Sequence, residues 1–293
     1  MSMTVGLVGN NDAPLRLQQS MRAEGRRPAC IGLQERPSES LRDQYESAAG
    51  TANYLEGFGE EKLLSQLEPL GLDLLVNAFC NFRFRRLLKQ PYDVLNVHLS
   101  PLPRYRGRHP VQWALINGEK NFGVTIHRME SEWDAGAILW QRRVTVDPLM
   151  SVEELRDRLL GVVTDNFRQF LDRYESGVVE PRSNSDSEAS YVARRFPEDS
   201  RLTAWDDHER IRRKVMALRS EDYPAYLVVD DEKITARSAT VGDRFYDGIA
   251  APFVCAASDS SLTVACLDGH TVRLENFAPS DPNVQLNDRV ALR

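Results

Sequence analysis

The sequence predicts an α/β fold: a mostly parallel sheet covered by helices on both faces, followed by a small β-rich domain. Two observations favour it. Through the first half of the chain, short apolar runs alternate with segments of helical spacing, as is typical of buried parallel strands joined by helices. After residue 190, several short strand-like pieces are separated by turn residues, which favours a small barrel or sandwich.

The elements of the first half follow one another in order. The apolar runs are Thr4–Val8, Ala29–Leu33, Leu72–Phe79, Asp93–Leu99 and Gly123–Met129, and helical spacing marks Leu15–Ala23 and Glu60–Leu70. The longest helix candidate is Val152–Tyr174, whose apolar residues recur every three or four positions and form one face. Ser151 is its predicted N-cap, and Glu154 three residues later completes a capping box.

A stretch rich in serine, asparagine and aspartate, Ser176–Ser190, predicts a linker. The segments predicted beyond it are a helix, His208–Leu218, and four strands, Tyr226–Val229, Lys233–Arg237, Leu262–Leu267 and Thr271–Phe277. The predicted domains are therefore residues 1–185 and residues 195–293.

Composition and charge exclude several classes of protein. The 293 residues are 42% hydrophobic and 27% charged, which argues against disorder. A net charge of −6 disfavours a nucleic-acid partner. Four scattered cysteines without CxxC spacing favour buried thiols in a reducing compartment over a zinc ribbon. Neither a signal peptide nor an apolar run of about 20 residues is present, so we expect a cytoplasmic protein without a membrane partner.

The stretch from residue 95 to residue 136 holds the densest set of chemically capable side chains. Asn96 and His98 lie two apart in a predicted strand, so they leave the same face near its carboxyl end, where open α/β sheets bind ligands. Ser100–Pro110 contains three prolines and predicts a stiff, exposed loop carrying three arginines. Asp134 precedes a glycine turn. Taken singly, each residue also has a purely structural explanation.

Taken together, these residues form a long pattern. Asn-x-His-x-Ser-x-Leu-Pro-x-Tyr-Arg-Gly spans Asn96–Gly107, and is followed by Pro-x-x-Trp-Ala at Pro110–Ala114, Gly123–His127 and Asp-x-Gly at Asp134–Gly136. In order and spacing the pattern resembles the formyltetrahydrofolate-dependent formyltransferase family. A Rossmann-like first half agrees with it. Arg195–Ser200 before Trp205 resembles the entry into the small, OB-like C-terminal domain of methionyl-tRNA formyltransferase and of the aminoarabinose formyltransferase domain, and the aminoarabinose domain is the nearest.

The resemblance implies a catalytic triad of Asn96, His98 and Asp134, with 10-formyltetrahydrofolate as the formyl donor and no metal. An amine would attack the formyl carbon. Asn96 and a protonated His98 would donate hydrogen bonds to the developing oxyanion, and each such donor is typically worth about 3–4 kcal/mol of barrier. Asp134 would keep His98 charged and oriented, and could take the proton of the amine.

Binding residues are also implied by the resemblance. Those expected to bind the folate are Phe82, Arg83, Phe84, Arg108, Glu130, Glu132 and Trp133. Those expected to bind the acceptor are Asn10, Asn11, Arg104, Tyr105 and Trp113, and Arg106 could add charge for a pyrophosphate. The chain departs from the family at Pro101, where leucine is frequent, and its first loop, Gly9–Asp12, lacks a dinucleotide fingerprint.

The acceptor amine is left open by these residues. From Arg201 to Arg293 there are 12 Lys and Arg and 15 Asp and Glu, a poor balance for binding tRNA phosphates. Trp113 matches the aminoarabinose enzyme, so we expect a nucleotide-linked amino sugar, of the kind built into lipopolysaccharide O-antigens. The alternatives are initiator tRNA, a small amine such as hydroxyornithine, and hydrolysis of the donor by water. A non-catalytic binding module is disfavoured by the complete triad, and a homodimer is left open.

Overall fold

The computed structural model describes residues 2–22, 25–50, 52–229, 231–244, 246–258, 260–275 and 290. The helices are α1 (Ala13–Arg22), α2 (Glu39–Ala49), α3 (Glu60–Leu67), α4 (Pro110–Asn117), α5 (Val152–Glu175) and α6 (His208–Leu218). The strands of the first two thirds are β1 (Val5–Gly9), β2 (Cys30–Leu33), β3 (Asn53–Glu56), β4 (Leu74–Ala78), β5 (Asp93–His98), β6 (Arg106–Gly107), β7 (Asn121–Arg128), β8 (Ile138–Thr145) and β9 (Tyr191–Val192).

The remaining strands are β10 (Ala225–Val229), β11 (Glu232–Ala236), β12 (Ser238–Arg244), β13 (Phe253–Ser258), β14 (Ser261–Ala265) and β15 (His270–Glu275). Two predicted segments reach beyond the described residues. The last residue of the predicted helix Leu15–Ala23 and the last two residues of the predicted strand Thr271–Phe277 lie outside them.

A seven-stranded sheet with the order β3-β2-β1-β4-β5-β7-β8 organises the first part of the chain. The β1–β2, β2–β3, β1–β4 and β4–β5 pairs are parallel, and β5–β7 is antiparallel. The predicted α/β fold with a mostly parallel sheet is therefore confirmed. Because the strand order reverses direction between β1 and β4, a crevice is expected at their carboxyl ends, where sheets of this kind bind ligands.

The central strands are buried over their whole length, as expected for strands covered on both faces. Every residue of β1, β2 and β4 is buried. Helix α5 begins with the predicted capping box, in which the Glu154 amide donates to Ser151 Oγ at 3.2 Å and the Ser151 amide donates to Glu154 Oε2 at 2.6 Å. Its apolar face, including Leu155, Leu159 and Val163, is buried.

The chain divides into two compact units. The first comprises Met1–Gly107, Gly123–Val144 and Asp157–Val192, and the second comprises Arg108–Phe122, Thr145–Arg156 and Ala193–Arg293. The second unit therefore includes α4 and the first residues of α5, both of which come from the part of the chain predicted as the first domain.

The second unit is rich in antiparallel strands, as predicted. It contains a hairpin, β10–β11, and a four-stranded antiparallel sheet with the order β12-β15-β14-β13. Helix α6 has the predicted bounds and buries Ile211 and Val215. Trp205 is fully buried and donates from Nε1 to the Leu202 carbonyl at 3.0 Å. Among the described residues of the chain, no helix combines the length and the apolar composition that crossing a bilayer requires.

Candidate active site

Asn96, His98 and Asp134 lie together at the carboxyl end of β5. Asn96 and His98 leave the same face of the strand because they are two residues apart. Asp134 lies in the loop between β7 and β8. Its Oδ1 is 3.4 Å from Asn96 Nδ2 and 3.6 Å from His98 Nδ1. An amide donor, an imidazole and a carboxylate thus converge on one point.

The loop that carries Asp134 is held from several sides. Asp134 has a positive φ of 51°, and its Oδ2 accepts the Gly107 amide hydrogen at 2.9 Å. Asn184 donates from Nδ2 to the carbonyl oxygens of Asp134 and Gly136, at 2.8 and 2.9 Å. A Cβ on Gly136 would lie 2.0 Å from the Arg128 carbonyl oxygen. Only glycine therefore lets this loop lie against β7 and place the carboxylate.

Asp134 is ionised in this environment although its side chain is only 10% exposed. Burial by itself favours the neutral acid. Attraction to His98, the interaction with His127 and the hydrogen bond from the Gly107 amide outweigh it, so the pKa of Asp134 lies well below its usual range. A buried carboxylate that stays charged can orient a cationic imidazole and accept a proton.

The Asn96 amide is oriented by Asn77, a buried residue of the neighbouring strand β4. Asn77 Nδ2 donates to Asn96 Oδ1 at 2.8 Å, while Asn77 Oδ1 accepts the Cys80 amide hydrogen at 3.0 Å. The oxygen of Asn96 is therefore engaged on the β4 side. Its Nδ2 group consequently faces His127 and Asp134.

His98 presents one ring nitrogen to the site and uses the other for support. Its Nε2 lies 2.8 Å from the Tyr105 carbonyl oxygen, so Nε2 carries the hydrogen and donates. Tyr105 has a positive φ of 61°, and its amide donates to Ser190 Oγ at 2.9 Å. The nitrogen that faces Asp134 is Nδ1. Proton exchange with a bound substrate would therefore use Nδ1.

His127 belongs to the same cluster, a position that its place in the sequence does not predict. In the antiparallel β5–β7 pair it lies directly opposite Asn96. Its Nε2 is 3.1 Å from Asn96 Nδ2 and 3.5 Å from Asp134 Oδ1. Its Nδ1 lies 2.8 Å from the Arg128 carbonyl oxygen and donates to it. The sequence feature that could have indicated His127 is its position in a buried strand, at the end of the motif Gly123–His127.

The two segments predicted to bind folate lie next to each other in the first unit. Arg83 is exposed and donates from Nη2 to the Ser131 carbonyl oxygen at 2.6 Å. Its guanidinium carbon is 5.9 Å from the centre of the Trp133 ring. Trp133 is 47% exposed, an unusual degree for an indole. This corner of the unit therefore offers an exposed aromatic face beside a cation.

The other residues predicted to bind folate lie in different environments. Phe84 is buried in the apolar core, where its ring stacks on that of Phe82 at a centroid distance of 4.9 Å. A contact of Phe84 with a ligand would therefore use its backbone. Glu130 and Glu132 are exposed. Arg108 is exposed too, and belongs to the second unit.

Asn10 is buried and joins the ends of the central strands. Its Nδ2 donates to the Phe79 carbonyl oxygen at 3.0 Å and to Gln34 Oε1 at 3.3 Å. Its Oδ1 accepts the Glu35 amide hydrogen at 3.1 Å. These bonds hold the loops that follow β1, β2 and β4. A contact of Asn10 with an acceptor remains a prediction.

The remaining residues predicted to bind the acceptor are divided between the units. In the first unit Asn11 and Arg104 are exposed, whereas Tyr105 is buried. Trp113 lies in the second unit on helix α4, and its Nε1 donates to the Ala193 carbonyl oxygen at 2.9 Å. The structure therefore gathers the predicted catalytic residues and does not gather the predicted acceptor residues in one unit.

The prediction of an exposed loop is wrong for Ser100–Leu102 and Tyr105, which are buried. It is also wrong for Arg106, which is fully buried. Its Nη1 donates to Asp186 Oδ1 and to the Tyr191 hydroxyl, both at 2.7 Å, and its Nη2 donates to the Asn184 carbonyl oxygen at 2.7 Å. The guanidinium thus anchors the segment that holds Asp134. It is not available to a pyrophosphate, because it is fully buried and both of its Nη groups are engaged within the protein.

Fold and site together define an α/β protein with an amide, an imidazole and a carboxylate at the carboxyl end of a mostly parallel sheet. Residues 25–167 match the formyl transferase family. A methionyl-tRNA formyltransferase from Streptococcus agalactiae is 32% identical over 231 residues, which cover 77% of this chain and 71% of that protein. The chain belongs to the formyl transferase family.

Two further relatives show how far the similarity extends. A methionyl-tRNA formyltransferase from Thermotoga neapolitana is 34% identical over 167 residues. The match covers 56% of this chain and 53% of that protein, so the chain spans about half of that protein's length. The crystal structure of an N-formyltransferase from Helicobacter canadensis has a TM-score of 0.70 at 16% identity, with 94% of this chain and 100% of that chain covered. The similarity to the Helicobacter canadensis structure shows a shared fold.

Proposed function

We propose that this chain transfers a formyl group from 10-formyltetrahydrofolate to the primary amine of a nucleotide-linked amino sugar. The observation that supports it is the convergence of Asn96 Nδ2, His98 Nδ1 and an ionised Asp134 within 3.6 Å. Acyl transfer to an amine needs a donor for a developing oxyanion and a group that accepts a proton. This cluster supplies both.

Asn96 and His98 act on the formyl oxygen in this proposal. When the amine attacks the formyl carbon, negative charge develops on that oxygen. Asn96 donates from Nδ2, which Asn77 already points into the site, and a protonated His98 donates from Nδ1. Because both donors are oriented before the reaction, each is worth about 3–4 kcal/mol of barrier.

Asp134 acts on the proton. The bond from the amine nitrogen to the formyl carbon forms, and the bond from that carbon to N10 of the folate breaks. The proton released by the amine passes to Asp134, directly or through water, and His98 returns a proton to the departing nitrogen. The low pKa of Asp134 keeps it ionised in the resting site. Once His98 has given up its proton and charge, the pKa of Asp134 rises and the carboxylate becomes a better proton acceptor.

The proposed folate surface is formed by the adjoining segments 82–84 and 130–134. Trp133 and Arg83 offer an exposed aromatic face and a cation, a combination that suits a flat heterocycle with an anionic tail. The Helicobacter canadensis protein of the same fold was crystallised with folinic acid. These observations support the donor, and no residue of either segment requires a metal ion.

The amino-sugar acceptor rests on two observations. The structure of the Helicobacter canadensis protein contains dTDP-3-aminofucose. The stretch from Arg201 to Arg293 has more acidic than basic residues, which disfavours binding to a polyanion. The second candidate is initiator tRNA, because the relatives with 32% and 34% identity are methionyl-tRNA formyltransferases.

The proposed compartment is the cytoplasm, because the four free cysteines fit its reducing environment.

The acceptor is tested by turnover of 10-formyltetrahydrofolate with a panel of amines. The panel contains dTDP-, UDP- and GDP-linked amino sugars, charged initiator tRNA and a reaction without any acceptor. We expect formylation of at least one nucleotide-linked sugar. Formylation of tRNA and of no sugar would make initiator tRNA the favoured acceptor. Formate release without an amine would indicate a hydrolase.

The catalytic assignment is tested separately by substitution. Asn96→Ala, His98→Ala and Asp134→Asn should each lower kcat by about 100-fold to 1,000-fold, since each removes a group that acts in the transition state. Asp165→Asn is the matched control, because Asp165 is an exposed residue of α5. Formyl transfer by His98→Ala at the wild-type rate would contradict the assignment.

A further inference from the structure

We propose that the second unit carries a zinc site formed by His208, Asp268 and His270. His208 begins helix α6, Asp268 lies in the turn between β14 and β15, and His270 begins β15. Each residue offers one ligand atom, and these atoms all lie within 4.8 Å of one another. The cluster shares no residue with the candidate active site, so this proposal is independent of the proposed function.

The two imidazoles lie on the same carboxylate. His208 Nδ1 is 2.7 Å from Asp268 Oδ2, and His270 Nδ1 is 3.6 Å from Asp268 Oδ1. The rings are stacked, with centroids 4.0 Å apart and planes inclined by 26°. Two Nδ1 atoms and two carboxylate oxygens are thereby brought to one side of the turn.

His270 Nδ1 is the observation that points to a ligand. The atom is buried, and within the described part of the chain it has no hydrogen-bond partner. Its distance of 3.6 Å from Asp268 is too long for a hydrogen bond. Buried imidazole nitrogens normally have a partner, because leaving one unsatisfied costs free energy. A metal ion bound by His208 and Asp268 would supply that partner.

Asp268 is oriented before any ion binds. Its Oδ2 accepts the His208 amide hydrogen at 3.1 Å, and its Oδ1 accepts the His270 amide hydrogen at 3.2 Å. Both elements that carry a histidine therefore also hold the carboxylate. Secondary hydrogen bonds of this kind fix the direction of a metal ligand and strengthen binding.

The chemistry of the three side chains favours Zn²⁺. Imidazole nitrogen together with a single carboxylate suits zinc, whereas Ca²⁺ and Mg²⁺ prefer sets of oxygen ligands. A tetrahedral zinc ion with bonds of about 2.1 Å needs ligand atoms about 3.4 Å apart. The ligand atoms now lie within 4.8 Å of one another, so the widest pair would close by up to about 1.4 Å. His208 Nδ1 and Asp268 Oδ2, now 2.7 Å apart, would separate by about 0.7 Å to admit the ion, and water would take the fourth position.

The proposal is tested with the full chain, freed of its purification tag and treated with EDTA, by titration with ZnCl₂ in a calorimeter. We expect one Zn²⁺ per chain with a Kd of about 10 µM or tighter, and a zinc-dependent rise in Tm, because the ion binds the folded chain. His270→Ala and His208→Ala should each weaken binding by about 100-fold or more and remove the rise in Tm.

Asp134→Asn is the matched control, because the candidate active site also contains two histidines and an aspartate. It should bind zinc like the wild type. The proposal is overturned if the wild-type chain binds no zinc and its Tm is unchanged. It is also overturned if His270→Ala binds as tightly as the wild type, or if Asp134→Asn removes binding. The titration of the wild-type chain is sufficient to overturn the proposal, so the test does not depend on whether the variants fold.

Discussion

At the scale of single residues, Asn77 determines which end of the Asn96 amide faces the site. Asn77 and Asn96 are paired across the parallel strands β4 and β5. Since Asn77 donates to Asn96 Oδ1, the Nδ2 group of Asn96 is left on the side of His127 and Asp134. The opposite orientation would place a carbonyl oxygen beside the Asp134 carboxylate, where it could not stabilise a developing oxyanion.

Asn77→Asp should therefore lower kcat while leaving binding largely intact. An aspartate has no hydrogen to donate to Asn96 Oδ1, and it attracts Nδ2 away from the site. We expect kcat to fall about 100-fold, with the KM of either substrate changed less than about threefold. Steady-state kinetics measure both. Asn121→Asp, which adds a carboxylate at the exposed first residue of β7, is the control. A wild-type kcat in Asn77→Asp would refute the positioning role.

The ionised state of Asp134 leads to a prediction about pH. Because its pKa lies below the usual range, Asp134 is deprotonated from pH 5 upward and does not titrate between about pH 5 and pH 9. The attacking nitrogen must be neutral, so kcat/KM should fall on the acid side as the acceptor amine protonates. Rate profiles with two acceptors whose amines differ in pKa check this, because the acid limb should follow the acceptor. A flat profile, or one limb common to both acceptors, would contradict it.

At the scale of elements, the capping box of α5 shows a local signal that acts as the sequence predicts. Ser151→Ala should lower the free energy of unfolding by about 1 kcal/mol, because the Glu154 amide loses its acceptor. Urea unfolding measures the change. Ser40→Ala, an exposed position in α2, should stay within about 0.5 kcal/mol of the wild type. Equal losses in the two variants would mean that the box does not stabilise the helix.

Elements with a periodicity of their own could be predicted from the sequence, and elements that depend on distant contacts could not. Helix α5 was predicted from apolar spacing, and strand β4 from a continuous apolar run. Helix α4 was missed because its first residue, Pro110, is the third proline of what was predicted as a loop. Proline is well tolerated at the first position of a helix, so the same residue signals a loop or a helix start.

The residues of the candidate active site could likewise be predicted only where their arrangement is local in the sequence. Asn96 and His98 could be predicted because their spacing of two is local. His127 and Asn77 could not, because their roles arise from the register of β5 with β7 on one side and with β4 on the other. The burial of Arg106 depends on partners around Asn184 that come much later in the chain. Interactions of this kind leave no periodic trace in the sequence.

At the scale of the whole molecule, charge bears on the choice of acceptor. The chain carries a net charge of −6, and its residues from Arg201 onward are more acidic than basic. A protein that contacts 6–10 phosphates loses about 1,000-fold to 100,000-fold in affinity between about 50 and 200 mM salt. A nucleotide-linked sugar carries only a diphosphate, so its binding should weaken by less than about tenfold over that range.

Competition at two salt concentrations therefore separates the two acceptor classes. Initiator tRNA that carries no amino acid should not inhibit formylation of the nucleotide-linked sugar at about 50 mM NaCl. At this low salt concentration screening is weak, so an acidic surface repels a polyanion. Initial rates with a fixed amount of sugar and increasing tRNA measure this, and polyglutamate of similar length controls for non-specific effects of a polyanion. Inhibition by tRNA at about 50 mM that disappears at about 200 mM NaCl, without inhibition by polyglutamate, would show a phosphate-binding surface and would favour tRNA as the acceptor.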